Sequence, residues 1–371
     1  MKKFLILSAH DFRTDRRTSL HFLAEEMQKG GQVRFFSLRY SWLSKLKKDF
    51  RGSLDSKANK IEKFKGVECY LWKTLIHPFN SRRKYLVWIE NILYKIAQKL
   101  PNKQMVEWIK EADVIVVESG TAIIYFELAK KLNPKALFIY RASDDLDTIN
   151  VAQFVKKTFL KVSKDFDQVC LLAPLIGKNI YYKDNLYYVP NGVSRDMSDL
   201  GDPNPYKGGI NAVSVGSMLF DLYLIKVVAP KFLNVTFHLI GTGINPDDIS
   251  EPNVIVYDHM AFNEVLRYIK HANLGLTPYI TNEDSAYLAD SSMKMLQYDF
   301  FKLPTVCPEI VVGNYPNRYG YVEDNDDSMI SAMNQALDSK SDQNREVLFW
   351  DEVVERLLSP EEYKSTKIDV L

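Results

Sequence analysis

Cysteine is scarce in this sequence: Cys69, Cys170 and Cys307 are the three in 371 residues, and no two of them form a Cys-x-x-Cys pair. That spacing excludes a cysteine zinc site or a disulfide framework and leads us to expect a reduced, cytosolic compartment. Long apolar runs are missing too. The stretch that opens Met-Lys-Lys-Phe-Leu-Ile-Leu-Ser is interrupted by His10, Asp11 and Arg13, far short of the roughly 18 apolar residues that cross a bilayer. Neither an export signal nor a spanning helix is expected. No Gly-x-Gly-x-x-Gly follows this first run, which disfavours a dinucleotide site. There is no internal repeat, no low-complexity segment and no nucleic-acid recognition motif, so a nucleic-acid partner is not expected.

What is present is a long chain with 46% hydrophobic residues, enough for two cores. Its net charge of +1 conceals an imbalance: residues 1–112 hold 24 Lys and Arg against 11 Asp and Glu, and the remainder holds 24 against 36. A basic first part suits an anionic surface or substrate.

Compact apolar runs alternate with amphipathic stretches, the mark of a parallel α/β sheet. In the first half, strands are predicted at Lys3–Ser8, Val33–Leu38, Val67–Trp72, Val114–Glu118, Ala136–Tyr140, Gln168–Leu172 and Leu186–Val189, and helices at Thr18–Gln28 and Ile123–Leu132. Gly201-Asp-Pro-Asn-Pro-Tyr-Lys-Gly-Gly209 reads as a linker. The alternation then restarts, with strands at Ala212–Val215, Thr236–Ile240, Val254–Val256, Leu274–Thr277 and Thr305–Pro308. We therefore expect two doubly wound domains, 1–203 and 210–345, facing across a cleft, with a helical tail 346–371 packing back on the first.

The segment Asp290-Ser-Ser-Met-Lys-Met-Leu-Gln-Tyr-Asp-Phe-Phe-Lys-Leu-Pro304 is a polar loop running into a helix that ends before a proline. Ser291 or Ser292 can cap it, and its free N–H groups form an anion site. Lys294 sits at the wrong end of the helix dipole for a cation, which points to a bound anion, a diphosphate by preference. Gly216-Ser-Met218, Gly241-Thr-Gly243, Asp258-His-Met260 and Pro278-Tyr279 each follow a predicted strand. Singly they are ordinary turns; together with Ser291–Lys294 they outline a nucleotide pocket.

In the first domain, Tyr140-Arg-Ala-Ser-Asp-Asp-Leu-Asp147 ends a buried strand in three acids among four residues. Mutual repulsion raises the pKa of at least one unless a cation such as Arg141 pairs with it. Asp145 and Asp147 fit either an Asp-x-Asp metal clamp on a diphosphate or a helix cap with solvated acids. Arg13, Arg16 and Arg17 follow the first strand and suit a carboxylate or phosphate. Residues 39–51 interleave Trp42, Leu43, Leu46 and Phe50 with basic residues, and Arg82-Arg-Lys84 precedes Tyr85 and Trp88; either can be a helix on an anionic membrane or a surface helix with its apolar face inward. His21, His77, His238 and His271 have no ligand-like spacing and read as structural.

Several longer words are more specific: Leu7-Ser-Ala-His-Asp-Phe-Arg-Thr, Arg34-Phe-Phe-Ser-Leu-Arg-Tyr-Ser, Tyr140-Arg-Ala-Ser-Asp, Val215-Gly-Ser-Met-Leu-Phe-Asp and Tyr287-Leu-Ala-Asp-Ser-Ser-Met-Lys. They resemble the xanthan-pathway glucuronosyltransferases of the GumK family, from Leu7 to about Tyr321. The resemblance implies the GT-B fold, with acceptor in the first domain and nucleotide sugar in the second. It implies an inverting, β-forming, metal-independent transfer of glucuronic acid from UDP-glucuronate to a mannose-terminated, polyprenyl-diphosphate-linked oligosaccharide in exopolysaccharide biosynthesis. The enzyme would be peripheral at the cytoplasmic face of the inner membrane, on anionic lipid, with no cofactor. Carried over by position, Asp144 matches the general base, Lys294 the diphosphate contact, and Met218, Tyr279, Met293 and Gln297 the surroundings of UDP; the capping Ser292 is expected beside the nucleotide as well, and Arg16 is a candidate for the donor carboxylate. His259 stands where the family has a glutamate near the nucleotide, and Asp145 where it has a glycine beside the base. The competing readings are a metal-dependent UDP-sugar transferase using Asp145 and Asp147, and a nucleotide-sugar-binding component without turnover.

Overall fold

The computed structural model describes residues 1–15, 17–46, 49–180, 184–200, 202–339 and 345–368. The chain divides into two compact units, one made of Met1–Pro190 with Asp351–Leu371 and the other of Asn191–Trp350.

The first unit is built on an eight-stranded sheet of β1 (Lys2–Ser8), β2 (Gly31–Ser41), β3 (Ile61–Phe64), β4 (Val67–Thr74), β5 (Val114–Glu118), β6 (Leu137–Ala142), β7 (Gln168–Leu171) and β8 (Leu186–Tyr188). Their order is β3-β4-β2-β1-β5-β6-β7-β8; β3 pairs antiparallel with β4, and the other neighbours are parallel. Runs such as Val114-Ile-Val-Val-Glu118 are buried along their whole length, as strands covered on both faces must be. Its longer helices are α1 (Ser19–Gly30), α2 (Val87–Lys99), α3 (Lys103–Glu111), α4 (Phe126–Leu132) and α5 (Gln153–Val162). The Asn102 side chain starts α3 by accepting from the N–H groups of Gln104 and Met105.

The second unit holds β9 (Ile210–Val215), β10 (Val235–Ile240), β11 (Val254–Tyr257), β12 (Leu274–Leu276), β13 (Thr305–Pro308) and β14 (Arg318–Tyr321). All pairs are parallel, in the order β11-β10-β9-β12-β13-β14. Its helices of comparable length are α6 (Leu222–Val228), α7 (Phe262–His271), α8 (Met293–Phe300) and α9 (Asp326–Leu337), and α10 (Trp350–Leu358) returns the chain to the first unit. Leu224, Val228, Phe237, Leu239, Met329 and Met333 share one core, Val213, Ile240, Leu266 and Leu296 another. In both sheets the order reverses beside the first strand, between β1 and β5 and between β9 and β12. Ligands of such sheets bind outside the strand ends at that reversal.

The structure departs from the sequence reading in several places. The division falls at Pro190–Asn191 instead of within 201–209, because Val193 and Met197 bury themselves in the second unit's core and Val193 bridges Phe349. The predicted helix at Ile123–Leu132 is a 3-10 turn at Thr121–Tyr125 followed by α4. Residues 39–51 do not form one amphipathic helix. β2 runs to Ser41, a short helix spans Trp42–Leu46 and a 3-10 helix begins at Phe50. Arg51, one of the basic residues of that stretch, is buried, with hydrogen bonds to the Ala9 and Leu38 carbonyls.

Candidate functional site

The reversal point of the first sheet gathers side chains from three strand ends. Ser8, the last residue of β1, donates to Glu118 at the end of β5 (2.5 Å), and His10 Nε2 lies 3.8 Å from the other Glu118 oxygen. The Asp144 N–H, two residues beyond β6, donates to Ser119 Oγ (3.2 Å). Asp144, Glu118 and His10 line a cavity of about 660 Å³ together with Arg39, His77 and Arg82. Burial, then the negative charges of Glu118 and Asp145, raise the Asp144 pKa to about 7. A carboxylate so poised can take a proton at neutral pH.

Several charged groups near this site in sequence are engaged elsewhere. Arg13 is buried and clamps Asp11 through Nε and Nη2 (2.9 and 2.8 Å), with its third nitrogen on Glu62 (2.9 Å). It serves the fold, since a buried arginine must be paired. Arg17 pairs with Glu25 and stacks on Phe22; Arg16, the candidate for the donor carboxylate, lies outside the described residues. Arg141 is not the partner of the acidic run: it is fully buried and donates to the carbonyls of Val189 and Pro190. Asp145 accepts from the N–H groups of Asp147 and Thr148 (2.7 and 3.1 Å), capping that turn, and Asp147 pairs with Lys156. Among the described residues no group of three His, Cys, Asp or Glu is arranged to hold a metal.

In the second unit the helix start read from the sequence forms, and Ser292 is its cap: Ser292 Oγ accepts from Met295 N–H (3.4 Å). The same oxygen shares a hydrogen bond with Tyr279 OH (2.7 Å). The Tyr279 ring is fully buried, and Lys294 Nζ stands 4.5 Å from its centroid. Lys294 Nζ is itself buried without a hydrogen-bond partner among the described residues, and burial lowers its pKa to about 7. A buried, unpaired ammonium is costly, and an anion over α8 would relieve that cost.

The loops around this lysine come from neighbouring strands. After β9, Gly216 has φ +81°, a turn that a side chain would strain. Beyond it, Phe220 bridges Tyr279 and Ile280 N–H donates to the Leu219 carbonyl (2.7 Å), which ties the β9 and β12 loops together. Met218 is half exposed there. Met293 opens α8, and Gln297 lies buried one turn along it. His259, exposed after β11, stands over the Gly241 turn. Tyr279 thus supports Lys294 and Ser292 from below and presents no exposed surface to a ligand.

Sequence reasoning did not single out Glu118 or Thr277. Glu118 reads as the last residue of a buried strand, and Thr277 likewise ends a predicted strand; its hydroxyl, like that of Thr242, is buried without a partner among the described residues. Their one signal is position, since Glu118 ends β5 and Thr277 directly follows β12, each at a sheet reversal. His21 and His238 are structural: burial drives both to a pKa of about 4.

The family profile described as glucuronosyltransferase GumK, N-terminal domain, matches residues 6–172. The UDP-glucuronate:glycolipid 2-beta-glucuronosyltransferase of Xanthomonas campestris pv. campestris is 46% identical over 365 residues, 98% of this chain and 91% of that protein. Among solved structures, the UDP-forming alpha,alpha-trehalose-phosphate synthase of Burkholderia vietnamiensis superposes with a TM-score of 0.62 at 12% identity, over 97% of this chain and 93% of that one. Anabaena HepE in complex with UDP and glucose gives 0.59 at 12% identity, over 97% and 95%. The fold these likenesses show is GT-B, with its paired Rossmann-like sheets.

Proposed function

This chain belongs to the GumK family of glucuronosyltransferases, and on that premise we propose that it moves glucuronic acid, with inversion, from UDP-glucuronate to a lipid-linked oligosaccharide acceptor. The acceptor is a mannose-terminated, polyprenyl-diphosphate-linked oligosaccharide of exopolysaccharide assembly, and the bond formed is β. The enzyme works without a metal, as a peripheral protein on the cytoplasmic face of the inner membrane.

The observation that carries this reading is the relationship, over nearly the whole chain, to a UDP-glucuronate:glycolipid 2-beta-glucuronosyltransferase. The residues supply a matching chemistry. Asp144, with its pKa near 7, takes the proton of the acceptor hydroxyl as that oxygen attacks the anomeric carbon. The bond from that carbon to the diphosphate oxygen breaks, and UDP leaves with the electron pair. Lys294, whose Nζ has no hydrogen-bond partner among the described residues, and the capped start of α8 stabilise the charge that grows on the diphosphate. Met218, Met293, Gln297 and His259 surround the nucleotide in this reading. Asp147 pairs with Lys156 and Asp145 caps its own turn, which supports a leaving group neutralised by the protein alone.

The membrane role is supported by the basic first 112 residues and by Trp42, Tyr85 and Trp88, each more than half exposed. The deciding experiment is turnover of a panel of UDP-sugars on a lipid-linked mannosyl acceptor, with and without a chelator, and with the product anomer assigned by NMR. UDP-glucuronate is expected to be the preferred donor, the product β-linked and the rate indifferent to chelation. Preference for a neutral sugar, or activity restored only by manganese, overturns the corresponding part.

A further inference from the structure

The C-terminal end of β2 is bent in an unusual way. Its register against β4 shifts between Ser37 and Tyr40, and within that bulge Arg39 has φ +59°. A side-chain-bearing residue rarely adopts that conformation, and bulges of this kind re-aim a side chain. The bend is pinned from beneath. Buried Arg51 donates to the carbonyls of Leu38 (2.7 Å), Arg39 (2.9 Å) and Ala9 (2.7 Å), and Asp49 grips Arg51 in turn (2.8 Å). Two charged residues are thus committed to holding one arginine in a disfavoured backbone state.

Arg39 Nε is buried without a hydrogen-bond partner among the described residues. Its side chain stands where two cavities meet. One is the polar cavity of about 660 Å³ that holds Asp144 and Glu118. The other, of about 280 Å³, is apolar, lined by Trp72, Leu93, Ile96, Leu100 and Tyr125. Arg39, His77 and Thr121 line both. The apolar pocket continues into exposed hydrocarbon, since Ile76, Ile96 and Leu100 are each about half exposed or more. An unpaired cation between an apolar pocket and a polar cavity matches an amphiphile with an anionic group at the junction of tail and head.

We propose that Arg39 binds the phosphate or diphosphate of the lipid-linked acceptor. The hydrocarbon next to that phosphate lies in the Trp72–Leu100 pocket, and the sugar end lies in the cavity that holds Asp144. The proposal rests on the reading of a lipid-linked acceptor given above and adds to it the residue that recognises the lipid phosphate.

The test is calorimetric binding to the full-length protein, without turnover, of three probes: farnesyl diphosphate, farnesol and inorganic diphosphate. Farnesyl diphosphate is expected to bind more tightly than either fragment, which separates a lipid headgroup from a free phosphate. Arg39→Gly is the informative variant, because glycine accepts the left-handed backbone and so keeps the bend while removing the guanidinium. It should weaken farnesyl diphosphate by about ten-fold or more and leave farnesol and UDP binding unchanged. Arg39→Lys should restore part of the loss. Ile96→Asp should weaken farnesyl diphosphate and farnesol while sparing inorganic diphosphate. The proposal is overturned if Arg39→Gly binds farnesyl diphosphate as the wild type does, or if the wild type binds it no better than inorganic diphosphate. Because the readout is binding, a protein that transfers another sugar leaves this proposal standing, and loss of the Arg39 dependence removes it whatever sugar is moved.

Discussion

Asp144 and Lys294 have ordinary pKa values far apart, and burial brings both to about 7. For Asp144, burial is joined by the charges of Glu118 and Asp145. As a base it must be ionised, so turnover at saturating donor should rise with pH through about 7 and then level off. Removing a neighbouring charge with Glu118→Gln should move the inflection to lower pH. Asp144→Asn should lose roughly 10²–10⁴ in rate, the range a general base supplies, with UDP affinity intact; near-normal transfer by that variant ends the assignment. Lys294 works in the opposite sense. Its ammonium is the binding form, so UDP affinity should fall as pH rises above about 7, with proton uptake on binding visible in calorimetry across buffers of different ionisation enthalpy. Lys294→Ala should bind UDP weakly and show little of that pH dependence. These residues were legible as candidates because a serine cap, a lysine in a helix's first turn and an acidic strand end are local patterns. Their pKa values were not, since Glu118 lies 26 residues from Asp144 in sequence.

α8 is the element on which the second site depends, and its placement comes from two contacts. Ser292 caps it and joins it to Tyr279. At Gly275 in β12 a Cβ would come within 2.4 Å of the Tyr298 ring, so only glycine lets α8 approach this strand. Ser292→Ala should cost about 1 kcal/mol of stability and also weaken UDP binding. Gly275→Ala should cost about 1–3 kcal/mol through overpacking, lowering the unfolding midpoint of the second unit. Unchanged midpoints for both would mean that α8 is held by something else. The cap was readable from sequence; the seat was not, because a glycine in a strand does not announce which ring lies over it. β14 was missed for a related reason. Arg318 interrupts its apolar pattern, and only the fold reveals that this arginine is buried on Asp299 (2.6 Å) and on the carbonyls of Ala289 and Val312.

For the molecule as a whole, the uneven charge along the chain has a measurable consequence. The intact protein should float with vesicles containing anionic lipid at low salt and detach at high salt, since exposed charges are screened. Replacing Arg82, Arg83 and Lys84 with alanine, or Trp88 with serine, should weaken that association without altering UDP binding. Absence of vesicle binding at low salt removes the membrane role.

The sequence by itself determined the α/β alternation, two successive sheets, the turns that follow their strands and the helix cap, because periodicity and capping are decided within a few residues of chain. The tertiary structure decided which charges are spent and which are left over. Arg13, Arg51 and Arg141 look as available as Arg39 in the sequence, yet each is buried on carboxylates or carbonyls of the fold. Arg39 Nε and Lys294 Nζ find no such partner among the described residues. Pairing of that kind depends on which distant segments the strand order brings together, and a linear pattern carries no record of it.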